Sequence, residues 1–356
     1  MSRALQQADV LFDLGRYEQA AALAAQHLAG HPDDATALVR LAHCRHRLGD
    51  EQQALTAVEH ALRVAPESVS AWLIHTHVLL ALKEYKQAEG SARRAVELAP
   101  QHWGSHYTLG AVLYRAVRAK RRRAAYESAR TAAALAPEES DAHLLVGLTA
   151  FRTGNHRVAQ QAYETALRLN PDSSEAHNNL SLLHLRRRWF RPGSWTRAAE
   201  GFVQAAALDL NDGQARHNLE TMAWGTVMGS RWVALAGIVA VSCGSAHLRA
   251  GAAGTDALAT YLGCAAVLVG SWGGWLLWQT RRVPPHLRRP LLLVSRGCRP
   301  VLGMAFAIAL LIVHSALALV LWRSAVFAAL AIPLFFFALV TSVAGRTALQ
   351  QRAPKP

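Results

Sequence analysis

The spacing of prolines constrains this chain more than any other feature. Pro32, Pro66, Pro100, Pro137 and Pro171 stand 34, 34, 37 and 34 residues apart, each after an Ala-rich amphipathic run. Twelve residues before them lie Ala20, Ala54, Ala88, Ala125 and Ala159, and five residues before them His27, Ala61, Ala95, Ala132 and Ala166. Proline cannot continue the helix it follows, because it lacks an N–H and its ring collides with the preceding turn. Small side chains at two fixed places let neighbouring helices approach closely. A repeated helix–turn–helix unit is expected, and such units bury their apolar faces only by stacking.

Trp72, the pairs Leu109-Gly110 and Val146-Gly147, and the turn glycines Gly15, Gly49 and Gly154 complete the pattern. On these residues the segment from 1 to about 223 resembles the tetratricopeptide repeat family. A sixth unit runs from Ser174 to Asp212, with Asp212 in the place of the proline and about seven extra residues around Arg186 to Ser194; Gln214 to Trp224 then reads as a closing helix. The resemblance implies an all-α fold: a right-handed helical superhelix of about six helix pairs plus a capping helix, with a concave groove that binds protein partners.

The family's groove is lined by the first helix of each pair. The inward positions, carried over one repeat at a time, include Phe12, His43, Arg47, His77, Tyr107, Tyr114, Arg115, Phe151, Arg152, Asn178, Asn179 and Arg186. Arginine recurs at one repeat position as Arg47, Arg115, Arg152 and Arg186. Beside Tyr114 and Phe151 such guanidiniums suit an extended or helical peptide with acidic and apolar side chains. The alternative is an arginine that complements the dipole at a helix C-terminus and stays solvated. The carboxylate clamp of chaperone-binding family members needs Lys and Asn in three consecutive repeats; Asn178 and Asn179 supply only part of it, so that partner is not carried over.

Two basic clusters interrupt the repeats. Arg118, Lys120, Arg121, Arg122 and Arg123 are expected in the turn of repeat four, and Arg186, Arg187, Arg188 and Arg191 in that of repeat six. They form one edge that fits an anionic membrane surface or an acidic partner, against the plain reading of a solvated charged turn. The 17 histidines show no zinc spacing: His102 and His106 share a helical face without a further ligand, and His75 and His77 face apart. Cys44, Cys243, Cys264 and Cys298 form no CxxC, so neither a disulfide framework nor a metal site is expected, and no cofactor is implied.

Charge divides the chain. Residues 231–356 hold 12 Lys or Arg and one acid, Asp256, whereas residues 1–230 hold 26 bases against 23 acids. A near-balanced half joined to a basic, apolar one points to a membrane and away from nucleic acid. Four apolar segments, at about 232–248, 257–278, 301–322 and 325–344, match a hydrocarbon core of about 30 Å, the first only just. The expected organisation is a cytosolic repeat domain at 1–224, a short linker at 225–231, a four-helix transmembrane domain at 232–345 and a cytosolic tail at 346–356.

Six arginines between the second and third segments (Arg281, Arg282, Arg288, Arg289, Arg296 and Arg299) place that connection in the cytosol by the positive-inside rule, and both termini with it. The first 21 residues lack the apolar core of a signal peptide, in agreement. Trp232, Trp275, Trp278 and Trp322 mark segment ends. Gly270 and Gly274 form a GxxxG suited to close packing on a neighbouring helix or a second subunit, giving a route to a homo-oligomer. Pro333 is expected to kink the fourth span. Only four of the 38 basic residues are Lys, which with Ala-rich usage suggests a high-GC bacterial genome and hence the inner membrane.

The segments carry no ionisable group except His247 and His314, and the chain shows no phosphate loop, nucleophile elbow or HExxH. The leading expectation is a non-enzymatic scaffold or adaptor that recruits a protein partner to the cytosolic face of the membrane. The alternatives are a component of a small transporter or channel, and a membrane enzyme subunit centred on His314.

Overall fold

The computed structural model describes residues 3–115, 119–186, 193–209, 213–251, 254–321 and 325–352, without the side chains of 119, 120, 319 and 325–328. Among them every regular element is a helix. The chain divides into two compact units, Met1–Pro171 and Asp172–Pro356.

The first unit consists of five helix pairs: α1 (Arg3–Asp13) with α2 (Tyr17–Gly30), α3 (Ala35–Arg47) with α4 (Glu51–Val64), α5 (Val69–Ala81) with α6 (Tyr85–Leu98), α7 (Trp103–Tyr114) with α8 (Ala119–Leu135), and α9 (Ser140–Arg152) with α10 (His156–Leu169). Each first helix packs on its own partner and on the second helix of the preceding pair; α1, α3, α5, α7 and α9 are also neighbours in series. The second helices stop where the sequence pattern requires. His31, Ala65 and Ala99, each immediately before a proline, leave the helical region with φ of −135°, −133° and −137°, because the proline ring disfavours helical geometry in the residue before it.

The repeated alanines are the points of closest approach. Ala20, Ala54, Ala88 and Ala159 are 0% exposed, as are Ala61, Ala95, Ala132 and Ala166, so none has room for another methylene. His27, the exception in the first repeat, hydrogen-bonds Asp34 at 2.9 Å. Asp34 in turn caps α3, its carboxylate accepting from the backbone N–H of Thr36 and Ala37. A second regular tie leaves no mark in the proline and alanine pattern. In the three middle repeats the residue six after the proline reaches back to the proline carbonyl: Trp72 Nε1 to Pro66 at 2.8 Å, His106 Nε2 to Pro100 and His143 Nε2 to Pro137 at 2.9 Å. His106 and His143 thus stand where another repeat has tryptophan.

In the second unit, α11 (Ser174–Arg186) and α12 (Ser194–Leu208) form the sixth pair; α13 (Gly213–Arg249), α14 (Gly254–Arg282), α15 (Pro285–Gly297), α16 (Arg299–Val320) and α17 (Ala325–Gln351) follow. Among the described residues four helices are long and apolar enough to cross a membrane: α13, α14, Arg299–Ala318 of α16 and Ala329–Gln351 of α17. Three observations bear on the expected organisation. Residues 225–231 are not a linker, since α13 runs through them unbroken; the segment has no proline, and continuing the helix satisfies every backbone N–H and C=O as the surroundings turn apolar. The compact units part at 171/172 rather than 224, because the sixth pair packs on α13 and α15. The tail expected from 346 is helical as far as Gln351.

Among the described residues Gly270 and Gly274 meet no neighbouring helix, as a Cβ on either would meet nothing within 4 Å. The close crossing of α13 and α14 lies instead at Gly237, where a Cβ would stand 2.9 Å from Leu268, and at Gly244, which faces Cys264. The Cys264 thiol donates to the Ala240 carbonyl at 3.3 Å. Pro333 lies inside α17; Trp322, Arg323 and Ser324 lie outside the described residues.

The turns within the pairs generate a prediction. Gly15, Gly49 and Gly154 have φ of 74°, 81° and 84°, and at the corresponding place in the third pair Lys83 has φ of 65°. A side chain in that region costs about 1–2 kcal/mol, partly offset by the entropy that glycine loses on folding. Lys83→Gly is expected to stabilise the protein by about 0.5–1 kcal/mol, and Gly49→Val to destabilise it by more; thermal unfolding of the two variants checks both signs.

Candidate partner-binding face

The first helices of the first unit share one face, and its side chains meet across repeats. Phe12 stacks on His43 with ring centroids 4.3 Å apart, and Arg40 lies 5.0 Å over the Phe12 ring while pairing with Asp9. His46 and His77 are stacked at 6.4 Å. Tyr107 packs edge-on to Trp103 at 5.8 Å and partly against Ala129 and Leu145. Phe151 lies 5.3 Å from His156. Two of these contacts cross repeats, Phe12–His43 and His46–His77, each between residues 31 apart, as the 34-residue period brings successive first helices side by side; Trp103–Tyr107 and Phe151–His156 lie within a single pair.

Two of the arginines also make contacts that the spacing does not record. Arg47 donates to the Tyr17 hydroxyl at 2.6 Å and lies 4.9 Å over its ring. Arg152 covers the Tyr114 ring at 4.4 Å and donates to the Tyr114 carbonyl. Both guanidiniums, exposed in the last turns of α3 and α9, bridge one repeat to the preceding one by cation–π contact. Arg115, at the end of α7, is exposed. In the second unit Asn178 is 2% exposed and accepts from Asn218 at 2.8 Å, locking α11 to α13, so it is a structural residue and not a groove position. Asn179 donates to the Glu175 carbonyl of its own helix. Arg186 ends α11.

The basic cluster of repeat four is also rearranged. Lys120, Arg121, Arg122 and Arg123 belong to the first turns of α8, not to a turn between helices; Lys and Arg are good helix formers. Arg121 is committed to Glu89 at 3.0 Å, which Arg93 also pairs. Glu89 is 5% exposed, and a buried carboxylate persists only with such partners. Arg122 is half-buried and Arg123 exposed. Arg118, Arg187, Arg188 and Arg191, and the side chain of Lys120, lie outside the described residues.

A second surface arises where α15 joins two of the membrane-length helices. Its inner side, Leu287, Leu291 and Val294, packs with Trp195, Phe202, Leu219 and Met222. Arg282 lies 4.8 Å from the Trp195 ring and 4.7 Å from that of Trp278, Thr196 donates to the Arg282 carbonyl at 3.3 Å, and His286 meets Glu200 at 3.0 Å. The sixth pair is thereby pinned to the α14–α15 connection. On the outer side Arg288, Arg289, Leu292, Leu293 and Arg296 form an exposed stripe, Leu293 at 69%. Within α16, His314 and Ser315 are buried, and the Ser315 hydroxyl donates to the Leu311 carbonyl at 2.8 Å.

A stack of helix pairs presenting one shared, aromatic-lined face is a helical repeat protein, a class of protein-interaction scaffold. The N-terminal part of the chain is an array of tetratricopeptide repeats: residues 11–75 and 144–215 both match that family. Among solved structures it is similar to YrrB, a TPR protein with an unusual peptide-binding site (17% identity over 55% of this chain and 96% of that one, TM-score 0.40). PilF of Pseudomonas aeruginosa is 21% identical over 55% of this chain and 85% of its own, with a TM-score of 0.47. A tetratricopeptide repeat protein from Parabacteroides merdae is 14% identical over 62% and 84%, with a TM-score of 0.49. No curated protein matches the sequence.

Burial sets the protonation of the imidazoles on this face. Burial first, then Arg40, His77, His46 and Arg47, push His43 down to about 4; burial and then His46 lower His77. The folded state thus holds these rings neutral, whereas the unfolded chain protonates them near pH 6.5. Their contribution to stability is present above about 6.5 and is lost as pH falls through that value toward about 4. Hydrogen exchange of the full-length protein, corrected for intrinsic rates, should show protection of α1, α3 and α5 falling by about tenfold between about pH 7 and 5, one pKa unit's worth. His43→Phe should flatten this dependence.

Proposed function

We propose that the protein is a membrane-anchored adaptor whose repeat array holds a protein partner at the cytosolic face of a bacterial inner membrane. The observation that carries this reading is α13: one helix of 37 residues begins against the sixth repeat pair and continues through a segment of membrane-spanning length and composition. A continuous helix transmits position, whereas a flexible linker would not. The arginine-rich connection around α15 supports the cytosolic orientation. Its outer leucines, flanked by Arg289 and Arg296, have the composition of a helix resting at headgroup level. Exposed apolar residues along α14, α16 and α17, among them Leu262, Val269, Val313, Ile332 and Val340, are what a lipid-facing surface requires.

The partner is an extended or helical segment with acidic and apolar side chains. Phe12, His77, Tyr114 and Phe151 offer apolar and aromatic area along the face, with Arg47, Arg115 and Arg152 as cations beside them. The bound segment contacts the outer edges of Arg47 and Arg152, whose inner edges already hold the tyrosines. Arg115, exposed at the end of α7, is the discriminating residue. His314 and Ser315 serve helix packing in this reading, and no observation favours a transport path or an active site.

The test is crosslinking in native membranes, followed by recovery of the full-length protein and its partner. Arg115→Glu is expected to lower partner recovery by roughly tenfold, as charge reversal beside an acidic segment converts attraction to repulsion. Unchanged recovery with Arg115→Glu overturns the groove as the binding face. Solubility of the full-length chain without detergent overturns the anchor.

A further inference from the structure

We infer that the membrane-length helices hold one acidic phospholipid of the cytosol-facing leaflet, with an acyl chain in a slot between α13, α16 and α17 and its phosphate on Arg231. The inference rests on the membrane-anchored reading above.

The slot has a volume of about 180 Å³ and an almost wholly apolar wall. Its length is set by two helices. On α16 the lining runs from Met304 to Leu311, and on α17 from Phe335 to Ser342, seven helical steps in each case. At about 1.5 Å per residue both stretches measure about 10 Å. The two helices pack on each other through a short connection and therefore run antiparallel. Met304 and Ser342 consequently mark one end of the slot, and Leu311 and Phe335 the other. Half of a hydrocarbon core of about 30 Å is about 15 Å, so the slot occupies the depth of a single leaflet. A chain lying in it enters from one side of the bilayer and stops before the other.

Charge decides which side and what head group. The Met304–Ser342 end carries Arg231, which also lines the slot, with Arg299 five residues before Met304 and Arg346 four residues after Ser342. Arg231 stacks 4.9 Å over Trp232, and no acid of the described residues pairs with it. The only carboxylate side chain beyond residue 230, Asp256, begins α14, at the opposite end of that helix from Arg281 and Arg282. Arg231 thus lines the slot without an acid paired to it among the described residues, on the side of the chain whose segment ends carry Arg299 and Arg346. An anionic head group supplies the missing charge, Ser342 adds a hydroxyl, and the acyl chain fills apolar space whose walls otherwise lack contact partners.

The experiment uses the full-length protein purified in mild detergent and exposed to equimolar phosphatidylglycerol and phosphatidylethanolamine of identical chains, with retained lipid counted by native mass spectrometry. The wild type is expected to retain one phosphatidylglycerol with a preference of about fivefold, the size one arginine confers near an anionic lipid. Arg231→Gln should abolish the preference while leaving the slot open to either lipid. Leu339→Trp, at a slot-lining position that is 46% exposed and so tolerant of a larger side chain, should reduce retention of both. Equal retention of the two lipids by the wild type overturns the inference, as does a phosphatidylglycerol preference that survives both substitutions. A detergent-requiring protein with no lipid preference removes the slot alone, whereas a protein soluble without detergent removes the membrane reading beneath it.

Discussion

The architecture depends on helices approaching so closely that only alanine fits between them. In the first unit the contact recurs every 34 residues, with a single insertion of three, at alanines that have almost no exposed surface. Each such contact is small, and none stabilises a helix pair alone; their regular recurrence sets where every following helix must lie. The prolines enforce the period from the other direction by ending each second helix at a fixed distance from its contact points. Packing and termination specify the same register, which is the local–global agreement expected of a sequence that folds to one structure.

That register has a consequence for the shared face. Side chains of successive repeats become neighbours, so arginines and aromatics of adjacent pairs meet each other. Arg47 on Tyr17 and Arg152 on Tyr114 stabilise the junctions between repeats and hold cationic edges in fixed places. The same residues therefore serve stability and, in the proposed reading, recognition. Pre-ordering long side chains in this way lowers the entropy lost when a partner binds.

The sixth pair departs from the other five. Its helices join the apolar helices through Asn178–Asn218, the Trp195–Phe202 cluster with Leu287, and Arg282 held between two tryptophan rings. Much of this is hidden in the sequence. The repeats are legible because prolines and alanines keep their spacing, and the apolar helices because a run of about 20 apolar residues is the length a bilayer demands. The α15 helix is not, because Pro284, Pro285 and six arginines read as a loop. Its periodic Leu287, Leu291 and Val294 are the available signal. Gly270 and Gly274 stand out by their spacing although they face open space, while Gly237 and Gly244, lacking that spacing, form the real crossing. A glycine's packing role depends on which face meets the neighbour, and a motif does not record that.

The sequence by itself determined the repeat length, the all-helical class and the positions of the apolar segments. Each follows from a local property: a missing N–H, a missing Cβ, a run of apolar side chains, or a helical period. Only the tertiary structure decided that Arg121 is committed to buried Glu89, that Asn178 is a lock, that 225–231 is continuous helix and that the sixth pair belongs with the second unit. These depend on partners distant in sequence, and the free energy of a charge or an amide is set by what lies across from it once the chain has folded.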